Sequence, residues 1–500
     1  MPDTVDEPKS EIQQFFSGTN VFLTGATGIV GHVLVEKLLR TCYINKLYLL
    51  IRPKKNKEPQ NRLNEMFSDS LFKRLAENQP NFTEKVVGIV GDCYDPNLGL
   101  SAEDEELLVA NINVVIHCAA TISFNETLKR ACFINVRSTR DLLLMAQRMP
   151  NLKSFVYVST AFSNPNESLI KEIIYNCHIK AETLIDIVEN LPESIVTSIT
   201  PQIIGKWPNT YTLSKAVAEN LIKDYGKNMP ISISRPCVVV FTQSDPIEGW
   251  ATNMMSVPGL CVGVALGAIH VCKCKCSNTA VVMPADNVCN MIITTAWHAS
   301  KPNSNDLVPV FNHTPLDTPP LSFGECMEYI TNLIKKHNLS SEVGIWIPYV
   351  KTTDSRILYN ILFFLYHYVP AFLGDIYLWC SGKKTKAVKL YKKLDVMMNE
   401  MEFFAFNEFR FDDTRLQELI ASQSDTDKNL FNIEISNIVW EDYFLKSIIG
   451  FKRYILKENG CSPKAVQRYK KLWIAYYTLK TVYYGFLIYL ISLILKYILY

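Results

Sequence analysis

Short, wholly apolar runs separated by longer stretches with a helical apolar period recur along the first half of the chain. The runs are Val21-Phe-Leu23, Leu47-Tyr-Leu-Leu-Ile51, Val86-Val-Gly-Ile-Val90, Val114-Val-Ile116 and Phe155-Val-Tyr-Val158. Each lacks the polar alternation of a half-exposed strand, as expected of strands covered on both faces. Behind the first run, Val30, Leu34 and Leu38 repeat every fourth residue and predict a helix. Strands alternating with helices predict an α/β fold with a doubly wound parallel sheet, whose ligands gather outside the carboxyl ends of the strands. Towards the other end of the chain the pattern changes. Val482 to Leu495 carries no charge, and Trp473 to Leu479 extends it beyond Lys480. The uncharged run alone is shorter than the roughly 20 residues needed to cross hydrocarbon. Lys480 and Lys496 are placed to reach the two interfaces, and the Tyr and Trp residues suit an interfacial belt. A membrane-spanning helix is expected here; a buried amphipathic helix is the alternative. A second apolar stretch, Ile361 to Trp379, is interrupted by Pro370 and Asp375. It predicts a broken helical pair that packs against its own domain or lies on a bilayer.

Candidate chemistry enters at the turn between the first strand and its helix, Thr24-Gly25-Ala-Thr27-Gly28-Ile29-Val30-Gly31. Glycines there let bare backbone approach a pyrophosphate, which then sits on the helix N-terminus where N–H groups point outward. The spacing is Gly-x-x-Gly-x-x-Gly, not the commonest dinucleotide fingerprint, and a glycine cluster can also mark only a turn. The second run closes on Arg52-Pro-Lys54-Lys55 with no acid for a ribose 2′-hydroxyl, which favours NADPH over NADH. Arg52 is the expected phosphate partner, with Lys54 or Lys55 in support; the bland reading is a solvated basic turn. Asp92 after the third run is placed for the adenine, and Ala119 and Ala120 after the fourth let the cofactor pass closely. The fifth run leads into Ser159-Thr160. Downstream, Tyr211 and Lys215 stand four apart, one turn of a helix on one face. A phenol normally titrates near pH 10, so Lys215 is expected to favour its charged form. Tyr211 then donates a proton to a carbonyl that takes up hydride.

These residues carry a family resemblance. Thr24-Gly-Ala-Thr-Gly-Ile-Val-Gly31, Arg52-Pro-Lys-Lys55, Gly91-Asp92 with Leu98-Gly-Leu-Ser101, His117-Cys-Ala-Ala-Thr121 with Phe124, Val158-Ser-Thr-Ala161, Pro208 to Lys215 and Ser234-Arg-Pro236 resemble an extended short-chain dehydrogenase/reductase, more narrowly a fatty acyl-CoA reductase. Gly249-Trp250, Pro284-Ala-Asp286, Pro370 to Asp375, Gly382-Lys-Lys384, Trp440 to Phe444 and Arg453-Tyr454 extend the likeness over nearly the whole chain. The resemblance implies NADPH-dependent reduction of a long-chain acyl-CoA to a fatty alcohol in two hydride steps, with the aldehyde held between them. It implies Thr160, Tyr211 and Lys215 as the catalytic set, with Ser159 the alternative to Thr160. Asn135 matches an Asn that such reductases hold near the site, or is a buried Asn satisfying backbone. Pro236 falls where the family's strand passes the nicotinamide, and could equally terminate a strand. Ile29-Val30 replaces the family's usual Phe-Leu, an apolar exchange that leaves phosphate binding intact. Competing readings are a membrane-bound reductase of a sterol or small carbonyl, and a non-catalytic scaffold.

Five consecutive segments are expected: a tail over 1–14, an NADPH-binding Rossmann domain over 15–270, a substrate-binding region over 271–350, a helical domain over 351–470 and an anchor over 472–500. With 500 residues, 48% hydrophobic and a net charge of +2, composition points to an enzyme of two or three domains and not to a nucleic-acid partner. The 14 cysteines show no framework spacing, and Asp3, Asp6, Glu7, Lys9 and Glu11 leave the N-terminus without an apolar signal core. A reducing compartment without disulfides is expected. Cys272, Cys274 and Cys276 alternate along one run, but a zinc site needs a second ligand pair, so they read as small hydrophobes and no metal is expected. Lys464, Arg468, Lys470 and Lys471 precede the apolar tail and place the catalytic bulk on the cytosolic side of a peroxisomal or endoplasmic-reticulum membrane. Membrane lipid and a homodimeric partner are the further expectations.

Overall fold

The computed structural model describes residues 10–53, 58–252, 256–301, 307–315 and 320–499. Seven strands form one parallel sheet: β1 (Asn20–Thr24), β2 (Lys46–Ile51), β3 (Val86–Val90), β4 (Val114–His117), β5 (Ser154–Val158), β6 (Ile231–Pro236) and β7 (Val310–His313). Their order across the sheet is β7-β6-β5-β4-β1-β2-β3. The chain therefore reverses direction across the sheet between β1 and β4, which opens a crevice at their carboxyl ends. Phe22, Leu23, Leu49, Val115, Ile116, Phe155 and Tyr157 are all buried, which is why the strands carry no polar alternation. Helix α1 (Ile29–Thr41) follows β1, and helix α2 (Thr210–Tyr225) precedes β6.

The chain divides into two compact units. One comprises residues 1–252, 279–320 and 407–438, the other 253–278, 321–406 and 439–500. Where the sequence suggested consecutive segments, the units interleave. The sheet gains its edge strand β7 from beyond residue 270, and the stretch 407–438, expected in the helical domain, belongs with the sheet. Part of the reason is Glu172: its carboxylate accepts from the backbone N–H of Asn312 at 2.9 Å and of Leu416 at 3.2 Å, binding both segments to one buried group. The described end of the expected N-terminal tail is helical too. Glu11–Phe16 forms a helix, and Ser10 donates to Asp427 at 2.5 Å.

In the second unit, Val271–Lys273 pairs in parallel with Lys351–Thr353. Helix α3 (Arg356–Cys380) runs through the stretch expected to break. A π turn over Phe364–Tyr368 makes this possible. Val369 N–H reaches back five residues to Phe364, so the helix is already opened where Pro370 brings no donor. Asp375 does not interrupt it either. Its carboxylate accepts from the N–H groups of Lys386, Ala387 and Val388 at 2.9–3.0 Å and so caps helix α4 (Ala387–Phe406). Helix α5 (Pro463–Leu499) closes the unit.

Candidate active site

The turn from β1 into α1 shows what each glycine does. Gly25 has φ +80°, and a Cβ there would stand 2.7 Å from the backbone N of Ala119. A Cβ on Gly31 would stand 2.2 Å from the carbonyl oxygen of Gly25. These two glycines let the turn close on itself and on the end of β4. Gly28 differs: the only atom near its Cβ position is the Gly25 oxygen at 3.5 Å, and it is exposed with Thr27. It is the N-cap of α1, has extended backbone, and no side chain caps the helix. The N–H groups that open α1 after Gly28, with Ile29 and Val30 half-buried behind it, form a cradle that fits a dinucleotide pyrophosphate. Thr24 ties the cradle to β4: its hydroxyl accepts from Ala119 N–H at 3.1 Å and meets His117 Nδ1 at 2.7 Å. The other ring nitrogen of His117 meets Thr139 at 3.1 Å, and burial lowers its pKa to about 3. His117 is thus a neutral brace under the site. Ala120, half-buried, continues the same loop.

At the outer end of β2, Arg52 Nε lies 3.7 Å from Asp92, so the expected phosphate and adenine residues adjoin. Lys54 and Lys55 lie outside the described residues. A residue that sequence reasoning missed completes this end. Arg62, in the first turn of the helix Pro59–Phe67, donates to the carbonyl of Arg52 and to Thr27 Oγ1 at 3.3 Å. Its pKa is lowered, first by burial and then by the neighbouring Arg52 guanidinium. Two cations held side by side next to the nucleotide turn suit a ligand carrying an additional phosphate.

The reacting end is built on α2 and the exit of β5. Asn209 caps α2, accepting from Thr212 N–H at 2.9 Å, which sets Tyr211 in the first turn and Lys215 one turn later. The Thr160 hydroxyl lies beside the Tyr211 phenol, and the Phe124 ring lies 5.9 Å from the Tyr211 ring, tilted by 30°. Ser159 points elsewhere: it donates to Glu219 at 2.6 Å. Glu219 in turn pairs with Arg235 at 2.6 Å, with both side chains buried. Lys215 donates to the carbonyl of Val158 at 2.8 Å and lies 4.8 Å from the Tyr157 ring centre. Asn135 accepts from Thr121 N–H at 2.9 Å and donates to Thr121 O at 3.1 Å and to Ser214 at 2.9 Å. It sits in a π turn, Phe133–Arg137, and braces the β4 loop against α2. Pro236 ends β6, and its carbonyl accepts from Ala161 N–H at 2.9 Å, which places it at the same sheet edge as Thr160.

One electrostatic expectation is corrected. Burial pushes the Tyr211 phenol up to about 12, and the hydrogen bond from Thr160, not the charge of Lys215, is what opposes this. Lys215 is itself lowered to about 8 by burial. Desolvation decides the direction, because burial removes the water that would solvate a phenolate. A phenol held this high stays protonated at neutral pH, yet remains far more acidic than the alcohol formed when a carbonyl takes hydride. It can therefore deliver its proton to an alkoxide.

Fold and site together define a nicotinamide-dependent reductase of the extended short-chain dehydrogenase/reductase type. A family model described as male sterility protein matches residues 23–292, and another of the same description matches residues 366–458. Fatty acyl-CoA reductase wat of Drosophila melanogaster is 34% identical over 495 residues, covering 99% of this chain and 95% of that protein. Fatty acyl-CoA reductase 1 of Homo sapiens is 34% identical over 484 residues, 97% of this chain and 92% of that protein. The reductase domain of a nonribosomal peptide synthetase from Mycobacterium tuberculosis has a like fold, with a TM-score of 0.57 at 16% identity over 90% of this chain and 94% of that one. The terminal reductase domain of the myxalamid pathway follows with a TM-score of 0.52 at 18% identity, over 87% and 91%. The chain belongs to the fatty acyl-CoA reductase family.

Proposed function

We propose that this protein reduces long-chain fatty acyl-CoA to the fatty alcohol with NADPH, through an aldehyde retained at the site. The observation that carries the reading is the placement of the Tyr211 phenol, first-turn neighbour of Lys215 on α2, beside Thr160 at the carboxyl edge of the sheet, next to a glycine turn whose geometry fits a dinucleotide. The turn Thr24–Gly31 would hold the pyrophosphate, Asp92 the adenosine, and Ala119, Ala120 and Pro236 the passage to the nicotinamide. The reading of NADPH rather than NADH is supported by the cations Arg52 and Arg62, held together beside the glycine turn.

When bound, the nicotinamide supplies hydride. The chain's own residues handle oxygen and proton. Thr160 and Tyr211 hold the carbonyl oxygen of the thioester, so negative charge formed there meets two hydroxyl donors. Collapse of that tetrahedral species expels the CoA thiolate and leaves an aldehyde on the same donors. In the second round Tyr211 gives its proton to the alkoxide oxygen, Thr160 stabilises the phenolate so formed, and the Lys215 ammonium holds the exit of β5 in place through the Val158 carbonyl. Asn135 holds the Thr121 loop and Ser214 in place without reaching the reacting atoms itself. Helix α5 is assigned as a membrane anchor with the catalytic residues on the cytosolic face of a peroxisomal or endoplasmic-reticulum membrane, supported by its exposed apolar length and the basic residues before it. Membranes from expressing cells, incubated with NADPH and acyl-CoA of graded chain length, are expected to yield fatty alcohol. Absence of both alcohol and aldehyde at every length overturns the assignment.

A further inference from the structure

Helix α3 wears its amphipathicity inside out. Tyr359, Phe363, His367 and Ala371 recur every fourth residue and are buried against the second unit. The hydrogen-bonding groups lie on that inward side: the Tyr359 hydroxyl donates to Asp395 at 3.1 Å, and His367 Nε2 accepts from the backbone of His270 at 2.9 Å. Beyond Arg356 and Asn360 in its first turns, the outward side is apolar as far as Trp379. Ile357 is 75% exposed, Phe364 58%, Phe372 60%, Leu373 61% and Trp379 74%. A helix facing water has the opposite arrangement. Its 25 residues make a stripe about 37 Å long, beyond the patches that soluble monomers leave open.

Length and composition alone would also allow α3 to cross a bilayer, but its fastenings do not. Tyr359 near its start, His367 in its middle and Asp375 near its end each hold it to the protein body. A crossing helix would carry that hydrogen-bonded face into hydrocarbon, where no body could follow. A helix fastened along one side and apolar along the other lies in the interface plane. Two further features select a lipid surface as what covers it. Lys383, Lys384, Lys386 and Lys389 follow its end, all exposed, as cations that suit acidic headgroups. A ring contact also joins α3 to the tail helix. Tyr349 stands between them, its ring centre 6.3 Å from that of Tyr366 on α3 and 6.4 Å from that of Tyr476 on α5. On α5 the long exposed apolar stretch begins beside that contact, with Ile474 and Tyr477.

We infer that the outward face of α3 is a second membrane contact, lying in the plane of an anionic phospholipid leaflet beside the point where α5 enters it. The full-length protein, reconstituted into phosphatidylcholine vesicles with and without phosphatidylserine and a photoactivatable phosphatidylcholine, tests this by mapping lipid adducts with mass spectrometry. Adducts are expected on Phe364, Phe372 and Leu373 but not on Tyr359 or Phe363, and they increase with phosphatidylserine. Lys383→Glu with Lys384→Glu, both on the surface, is expected to cut α3 adducts about tenfold in phosphatidylserine vesicles while α5 adducts persist. Phe372→Asp with Leu373→Asp removes the α3 adducts altogether. Adducts on α5 alone overturn the inference, and adducts on both faces of α3 overturn it in favour of a crossing helix. Adducts on α3 without any on α5 leave it standing and refute the tail anchor instead.

Discussion

Ser159 donates its hydroxyl to Glu219 at 2.6 Å, and this removes one of two adjacent hydroxyls from the reacting side of the sheet edge. Thr160, the other, is left to the Tyr211 phenol. Thr160→Val is therefore expected to lower turnover by about 100-fold, in line with the loss of one hydrogen-bond donor at a developing oxyanion. Ser159→Ala acts on stability first, by about 1 kcal/mol, through the loss of one hydrogen bond to a carboxylate that Arg235 still holds. Alcohol formation and thermal melting of both variants separate the two roles; equal kinetic losses would contradict them.

Tyr211→Phe removes the proton donor and little else, since the ring keeps its place against Phe124. Turnover is expected to fall by about 100- to 10,000-fold while the dinucleotide still binds. Steady-state rates and a cofactor-fluorescence titration check this, and retained turnover would reassign the acid.

Arg52→Asp is expected to move preference from NADPH towards NADH, and Arg62→Ala to weaken NADPH with little change for NADH. The paired measurement is kcat/KM for each cofactor. An unchanged ratio in both variants would show that the phosphate is read elsewhere.

The pH profile should follow Lys215. Burial lowers its pKa from 10.5 to about 8, whereas burial raises Tyr211 to about 12. As pH rises, Lys215 loses its proton first, so activity is expected to decline above about pH 8 with the phenol still protonated. Stability runs the other way: between about 8 and 10.5 the unfolded chain keeps a proton that the folded one has released, so this position gains stability as pH rises through that window. Rates and melting temperatures from pH 6 to 10 test both signs, and a fall in stability attributable to Lys215 would contradict them.

Glu219 and Arg235 form a buried ion pair behind the site. Glu219→Ala strands the guanidinium and is expected to cost about 3–5 kcal/mol, whereas Glu219→Leu with Arg235→Met recovers most of that loss. Denaturation of the single and double variants gives the coupling directly.

Glu219 also shows how far reading residues in order can go. Tyr211, Lys215 and Glu219 recur every fourth residue, so the helical period already placed an acid on the catalytic face. Its partners come from the exit of β5, Ser159, and from β6, Arg235, and no spacing along the chain announces them. Arg62 is similar: an arginine in a polar helix has no mark until folding sets it against Arg52 and Thr27.

What sequence alone determined depends on short-range physics. Uniform apolar runs specify strands of a covered parallel sheet, glycines specify where backbone must approach backbone, and four-residue spacing sets Tyr211 above Lys215. The tertiary structure decided what depends on distant segments and on water. It turned Ser159 towards Glu219 and left Thr160 beside Tyr211, joined Arg62 to the glycine turn, folded 407–438 back onto the sheet and opened a π turn ahead of Pro370. It also reversed the expected effect on the phenol, because desolvation is a property of everything packed around a group and not of the residue four positions away.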